Sequence, residues 1–236
     1  MNRAIIFDFD GTLLDTMPIF DSIVRQQLEQ RGVVLSEQKE KELIAHYIEK
    51  AAEVQYGGGK LSVFRIFSQL GQVCGLGRIS RISFTLATIR AIIRAYHTAQ
   101  HFPDSQEIVA LFKEQGFLLA LVTMASKNNL KKSLGDLRQY FEVIITRDDV
   151  KKTKPNPEAF NKVCQTLDVK AEECYAIGDL PIDIIAAQRA GIPALAVTTG
   201  ISSRDLLKQF NPIKIFSSLT EASKWILDQS STRNAK

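Results

Sequence analysis

Two aspartates two positions apart, Asp8 and Asp10, close a short apolar run from Ala4 to Phe7, and Gly11 follows them. In a strand, residues i and i+2 lie on one face. Where a strand ends the chain can also turn, so both carboxylates can reach one spot at its C-terminal edge. That edge is where open α/β sheets bind ligands. Two carboxylates this close repel. A divalent cation removes the conflict, and Mg²⁺ favours one or two carboxylates together with phosphate oxygens. One aspartate can then act as nucleophile and the other as proton donor and acceptor. The same residues also read as a strand ending in an acidic turn, since Asp and Gly are ordinary turn residues. A calcium loop does not fit: counted from Asp8, its sixth position is Leu13 rather than Gly and its twelfth is Ile19 rather than Glu.

Four more residues carry polar chemistry at similar places. Thr123 ends an apolar run, Phe117 to Val122. Lys154 follows the run Val143 to Thr146, in a loop with Lys151 and Lys152, and leads into Pro155-Asn156-Pro157. Asp179 ends the run Cys174 to Ile177 after Gly178, and Asp183 lies four residues on. Each has a plain structural reading. Thr is a β-branched strand residue, Lys154 belongs to a lysine cluster, Asp179 can cap a helix, and Asp183 suits a helix's first turn. Together, at successive ends of parallel strands, acids, a hydroxyl and a lysine form a site with metal-binding and phosphate-binding groups.

The elements that must position them follow from periodicity. From Phe102 onward, short apolar runs alternate with helical patterns, ending in a short run Ile213 to Phe216 and a last helix that carries Trp225. Asp104 with Glu107, and Ser218 with Glu221, look like capping boxes, Asn156 like an N-cap, and Ser126 to Leu137 like a helix. This alternation predicts an α/β fold, a doubly wound parallel sheet with a Rossmann-like core. Between Asp15 and about Ala99 strand-like runs vanish. Helices are expected from Pro18 to Arg31, from Ser36 to about Val54, from Leu61 to about Val73 and from about Ser80 to Ala99. The domains predicted are a catalytic core over 1–15 and 100–229, an inserted all-α domain over 16–99, and a polar, frayed tail over 230–236. Gly57 to Lys60 is not a phosphate-binding P-loop, because Leu61 replaces the required Ser or Thr and no strand precedes it. Gly75-Leu76-Gly77 lacks the third glycine of a dinucleotide site. Both read as turns between helices.

Composition excludes several classes. The chain has 236 residues, 45% hydrophobic and 24% charged, an ordinary globular balance. A net charge of +4 is small and dispersed, so neither nucleic acid nor a membrane surface is expected as a partner. The start of the chain does not read as a signal peptide, and no apolar run approaches the roughly 18 residues that span a bilayer. Cys74, Cys164 and Cys174 have no metal-type spacing and suggest free thiols in a reducing cytoplasm.

Asp8-Phe-Asp10-Gly-Thr-Leu, the strand ending in Thr123, Lys154-Pro-x-Pro and Gly178-Asp179-x-x-x-Asp183 resemble, in order, the four motifs of the haloacid dehalogenase-like hydrolases. The likeness is to the phosphatase branch with an α-helical cap, the phosphoglycolate phosphatase and β-phosphoglucomutase type, with the insertion over 16–99 as that cap. The resemblance implies roles. Asp8 would be the nucleophile that forms an aspartyl-phosphate. Asp10 would protonate the leaving group and then deprotonate water. Thr123 would hydrogen-bond the phosphoryl oxygens, and Lys154 would hold Asp8 and the phosphate. Mg²⁺ would be bound by Asp8, Asp179 and the backbone carbonyl of Asp10, with Asp183 completing or bracing the site. Such a site suits phosphoryl transfer, which demands positioning and charge neutralisation.

The function expected from this resemblance is Mg²⁺-dependent hydrolysis of a small phosphorylated metabolite. True dehalogenases of the family lack a second acid where Asp10 stands. A sugar phosphomutase of the β-phosphoglucomutase type shares motifs and cap and stays open as an alternative, as does a non-catalytic binding protein on the same fold. Substrate choice is expected from the cap, with the Gly57–Lys60 loop as a specificity element and Lys60 as a substrate contact. Thr123 continues as Met124-Ala125, and Asp179 as Leu180-Pro181, where phosphoglycolate phosphatase-like members often carry Asn-Lys and a small hydroxyl residue. A monomer and a weak homodimer both fit the pattern.

Overall fold

A computed structural model describes residues 3–36 and 60–234, apart from the side chains of 60–63 and 231–234. The chain divides into two compact units, Met1–Asp15 with Gln100–Lys236, and Thr16–Ala99. The expected helix from Ser36 to Val54 and the glycines of the Gly57–Lys60 turn lie outside the described residues.

The first unit is built on a six-stranded sheet. Its strands are β1 (Ala4–Phe7), β4 (Leu118–Val122), β5 (Val143–Ile145), β6 (Cys174–Gly178), β7 (Ala194–Val197) and β8 (Lys214–Phe216), in the order β5-β4-β1-β6-β7-β8. All neighbours are parallel, with Ile5 opposite Leu119 on one side and Tyr175 on the other. This is the expected α/β, Rossmann-like core. β1 is fully buried because both faces are covered, which explains its unbroken apolar sequence. One face is aliphatic: Ala4, Ile6, Ala120, Val122 and Ala176 meet Phe160 and Val163 of α6 (Glu158–Leu167) and Ile184 and Ala187 of α7 (Pro181–Arg189). The other is aromatic. The Phe7 ring lies 6.1 Å from that of Phe112 of α4 (Ser105–Glu114), tilted by 55°, and the Tyr175 ring lies 5.8 Å from that of Trp225 of α9 (Leu219–Asn234) in the edge-to-face geometry aromatic rings favour.

A two-residue antiparallel pair, β2 (Leu14–Asp15) with β3 (Gln100–His101), joins the segments where the chain leaves and re-enters this unit. It is too short to show a periodicity. The Leu13 carbonyl reinforces it, accepting from Phe102 N–H at 3.0 Å and Ser105 Oγ at 2.9 Å.

The second unit contains α1 (Met17–Glu29), α2 (Lys60–Val73) and α3 (Arg78–Ala95) among its described residues. Leu28, Phe67, Leu70, Cys74 and Phe84 form its core. Gly71 lets α2 and α3 approach closely, since a Cβ there would lie 3.1 Å from the Phe84 ring. Gly75-Leu76-Gly77 is the expected turn, with Gly77 at the N-cap of α3.

Several boundaries differ from expectation. α5 covers only Lys127–Ser133, because Gly135 takes a φ of +53° and starts a 3-10 turn over Gly135–Tyr140. A short helix, α8 (Arg204–Lys208), adds to the expected elements, with Ser203 as its N-cap. α9 continues to Asn234 through the residues read as frayed; no Gly or Pro interrupts it and Ser230 is buried. Asp104 makes no capping box. Its carboxylate instead accepts from Thr220 N–H at 3.2 Å and Thr220 Oγ1 at 2.8 Å, fastening the start of α9 to that of α4. The N-cap of α6 is Pro157 rather than Asn156, whose Oδ1, one residue earlier, accepts from Glu158 N–H at 3.1 Å. Ser218 Oγ accepts from Glu221 N–H, while Glu221 reaches back to Ser217 N–H. All three cysteines are free thiols. No helix of the described residues is long and apolar enough to cross a membrane.

Candidate active site

Parallel pairing of β4, β1 and β6 brings their C-terminal ends to one edge. Asp8 follows β1 and stays in register through its N–H to the Ile177 carbonyl at 2.8 Å. Beyond it the chain closes tightly: Phe9 O accepts from Leu13 and Leu14 N–H at 2.9 Å, and Gly11 N–H donates to Leu14 O at 2.8 Å. Gly11 has a φ of +78°, in the left-handed region that favours glycine. Asp10 sits in this loop, half-buried.

Lys154 is the hub. Its ammonium is buried and donates to Asp8 Oδ1 at 2.5 Å, Asp183 Oδ1 at 2.5 Å and the Val122 carbonyl at 3.0 Å. Those three acceptors match its three N–H donors. The loop carrying it is tied down twice. Glu158 accepts from the N–H groups of Lys151 and Lys152 at 2.9 Å each, and Arg189 of α7 donates to the Pro155 carbonyl at 3.1 Å.

Asp183 uses both oxygens. Oδ1 takes Lys154, and Oδ2 accepts the Leu180 N–H at 3.0 Å, capping α7. Asp179 is different. Its Oδ2 accepts from Ile201 N–H at 3.3 Å, while Oδ1, buried, has no hydrogen-bond partner. Glycines surround these two acids. A Cβ on Gly11 would fall 2.5 Å from Asp179 Oδ2, one on Gly200 would overlap the same oxygen, and one on Gly178 would overlap Asp183.

One carboxylate oxygen from each of Asp8, Asp179 and Asp183 lies within 4.8 Å of the other two. The Asp10 side chain is not part of this trio; its charge acts on Asp8 from beside it. Burial pushes the Asp8 carboxyl up to about 8, against the pull of Lys154 and with Asp183 and Asp10 adding to the rise. Burial, then the charges of Asp8 and Asp183, hold Asp179 well above the usual carboxylate range. Burial works against the Lys154 ammonium too, but Asp183 and Asp8 outweigh it and raise its pKa. Three buried acids thus share one buried cation, and one acid oxygen is unsatisfied. An unpaired buried polar atom costs on the order of 1–3 kcal/mol, more if charged. A divalent cation bound by oxygen fits both deficits.

Thr123 is buried at the end of β4, next to Val122. Its N–H donates to Ile145 O at 3.0 Å, and its Oγ1 accepts from Ala125 N–H at 2.9 Å, leaving the hydroxyl proton to donate. The loop after β5 steadies that turn: Arg147 N–H reaches Ala125 O at 3.3 Å and Lys127 pairs with Asp149 at 2.6 Å. Lys60 is described only as the first backbone position of α2. Sequence reading missed the Val122 carbonyl and the segment Thr199–Ile201. Nothing in the sequence around Gly200 signals an approach to Asp179.

A doubly wound parallel sheet with paired acids at the β1 edge, a buried lysine and a further acid pair after β6 defines a class of hydrolytic α/β proteins. The chain belongs to the haloacid dehalogenase-like hydrolase family, in its phosphatase branch; the family model matches residues 5–197. It is 26% identical over 214 residues, 89% of each chain, to Pyrophosphatase PpaX of Bacillus cereus (strain Q1). It resembles in fold a predicted phosphoglycolate phosphatase from Haemophilus somnus 129pt, with TM-score 0.74, 20% identity and 95% and 98% of the two chains covered. It also resembles magnesium-bound YfnB of Bacillus subtilis, with TM-score 0.72, 22% identity and coverage of 94% and 96%.

Proposed function

We propose that this protein is a Mg²⁺-dependent phosphatase that hydrolyses a small phosphorylated metabolite in the cytoplasm, with Asp8 as nucleophile. The observation that carries the reading is the buried trio of Asp8, Asp179 and Asp183 around Lys154, with Asp179 Oδ1 unpartnered. Asp8, Asp179 and the backbone carbonyl of Asp10 would hold Mg²⁺, which would neutralise charge, keep Asp8 ionised and polarise a phosphoryl oxygen.

The chain's own groups do the rest. Lys154 fixes Asp8 Oδ1, so the other oxygen of Asp8 is free to attack phosphorus. As that bond forms, the bond to the leaving oxygen breaks and Asp10 gives it a proton. Asp10 then takes a proton from the water that attacks the aspartyl-phosphate, which releases phosphate and regenerates Asp8. Thr123 supports the phosphoryl group through its unused hydroxyl proton. Lys154 already makes three hydrogen bonds, so in this reading it works by charge and by holding Asp8 and Asp183. Asp183 braces Lys154. The helical unit acts as the cap that selects the substrate.

The test is a screen of phosphorylated metabolites with and without Mg²⁺. Inorganic pyrophosphate is included because a relative is named a pyrophosphatase, and sugar phosphates are followed for interconversion as well as phosphate release. Mg²⁺-dependent release abolished by Asp8→Asn supports the reading. Isomerised sugar phosphate without net hydrolysis would replace it with a mutase. The absence of turnover on the whole panel would favour a binding protein.

A further inference from the structure

Thr199 has no part in the roles above. It follows β7, and its Oγ1 donates a 2.6 Å hydrogen bond to the carbonyl of Gly11, the residue after Asp10. The loop's internal bonds engage Phe9 O, Leu14 O and the N–H groups of Gly11, Thr12, Leu13 and Leu14. The Gly11 carbonyl is held from outside the loop, by Thr199. The next two residues reach the same place: Gly200 leaves room for Asp179 Oδ2 and Ile201 N–H donates to it. Three consecutive residues therefore strap the Asp10 loop and the unsatisfied acid into one frame.

We propose that Thr199 is a positioning residue for Asp10, its hydroxyl fixing the Gly11 peptide and with it the aim of the Asp10 carboxyl at the leaving oxygen. This rests on the phosphatase reading above. Glycine restricts its own torsions least, so the junction at Gly11 is the softest point of the loop: Leu14 O holds its N–H side at 2.8 Å, and Thr199 holds its carbonyl, on the peptide that leads to Thr12. A general acid works only within hydrogen-bond reach of the atom it protonates, about 2.6–3.2 Å. A small swing of this junction breaks that condition while Asp8, Lys154 and Asp179 keep their places. In the first chemical step the Asp8 oxygen bonds to phosphorus, the bond to the leaving group breaks, and the Asp10 proton goes to the leaving oxygen. A poor leaving group depends on that proton; a good one departs without it.

Thr199→Val removes the hydroxyl and keeps the shape, and Thr199→Ser keeps the hydroxyl. kcat/KM, which reports steps up to phosphorylation of Asp8, is measured on phenyl phosphate and on dinitrophenyl phosphate. For Thr199→Val the expected loss is about tenfold or more on phenyl phosphate and under about twofold on dinitrophenyl phosphate. Thr199→Ser restores both, and Asp10→Asn shows the same selectivity more strongly. Thr199→Ala, which adds no atoms, carries the same prediction if the valine variant does not fold. Equal losses on both substrates, or no loss on either, overturn the role. A wild-type activity insensitive to Asp8→Asn would instead overturn the phosphatase reading and this inference with it.

Discussion

Lys154 Nζ lies 2.5 Å from Asp183 Oδ1, and the second oxygen of Asp183 is committed to the Leu180 N–H at 3.0 Å. Asp183 therefore links the start of α7 to the lysine that holds Asp8. Removing its charge should loosen the lysine. Asp183→Asn keeps an oxygen for the Leu180 N–H, so the fold should persist while kcat/KM falls about 10–100-fold, the usual cost of losing a supporting group at a metal site. Circular dichroism and steady-state kinetics on the same preparation check this; unchanged kcat/KM would reduce Asp183 to a helix cap.

Gly200 and Asp179 make a second testable contact. A methyl group at 200 cannot fit beside Asp179 Oδ2, so Gly200→Ala should displace that carboxylate. The expected cost is about 1–3 kcal/mol of stability from overpacking, together with loss of the rise in melting temperature that the proposed site predicts for the wild type with Mg²⁺. Thermal melts with and without Mg²⁺ separate the two effects.

The pH dependence of stability follows from the raised carboxyls. Asp8, pushed up to about 8, and Asp179, held well above its usual range, bind protons in the folded state that the unfolded chain releases near pH 4. Their contribution is full below the unfolded pKa and is lost as pH rises toward 8. Lys154, also raised, keeps its contribution throughout that window. The chelator-treated protein should thus lose stability between about pH 5 and 8 more steeply than Asp179→Asn does. Mg²⁺, which competes with protons for the same oxygens, should raise the wild-type melting temperature more at pH 8 than at pH 6. Equal slopes for the two proteins would contradict the assignment.

Asp104 and Thr220 join α4 to α9, and neither belongs to the Asp8, Asp179 and Asp183 trio. Asp104→Ala leaves the Thr220 N–H and hydroxyl without this acceptor and should cost about 1–2 kcal/mol. kcat on any hydrolysed substrate should not change. Urea denaturation and kinetics check the pair of outcomes.

Asp8, Asp179, Asp183 and Lys154 were legible because parallel strands covered on both faces read as continuous apolar runs, and parallel pairing brings their ends to one edge. What a one-dimensional pattern cannot carry is which partner a polar atom takes. Asp104 beside Glu107 satisfied the spacing of a capping box, yet its acceptor site went to Thr220, 116 positions away. Thr199 and Gly200 carry no spacing signal for their approach to Gly11 and Asp179, 188 and 21 positions away in the chain. The β2–β3 pair is two residues long, below the length at which alternation exists. The shorter α5 was marked by Gly135, whose positive φ outweighs the helical spacing on either side of it.

The most direct measurement is a rapid acid quench during turnover of a ³²P-labelled substrate, followed by peptide mapping. Acyl phosphates survive acid, so the wild type should carry label on the peptide containing Asp8, and Asp8→Asn should carry none and be inactive. Turnover without a labelled Asp8 peptide, or hydrolysis retained by Asp8→Asn, would contradict the account.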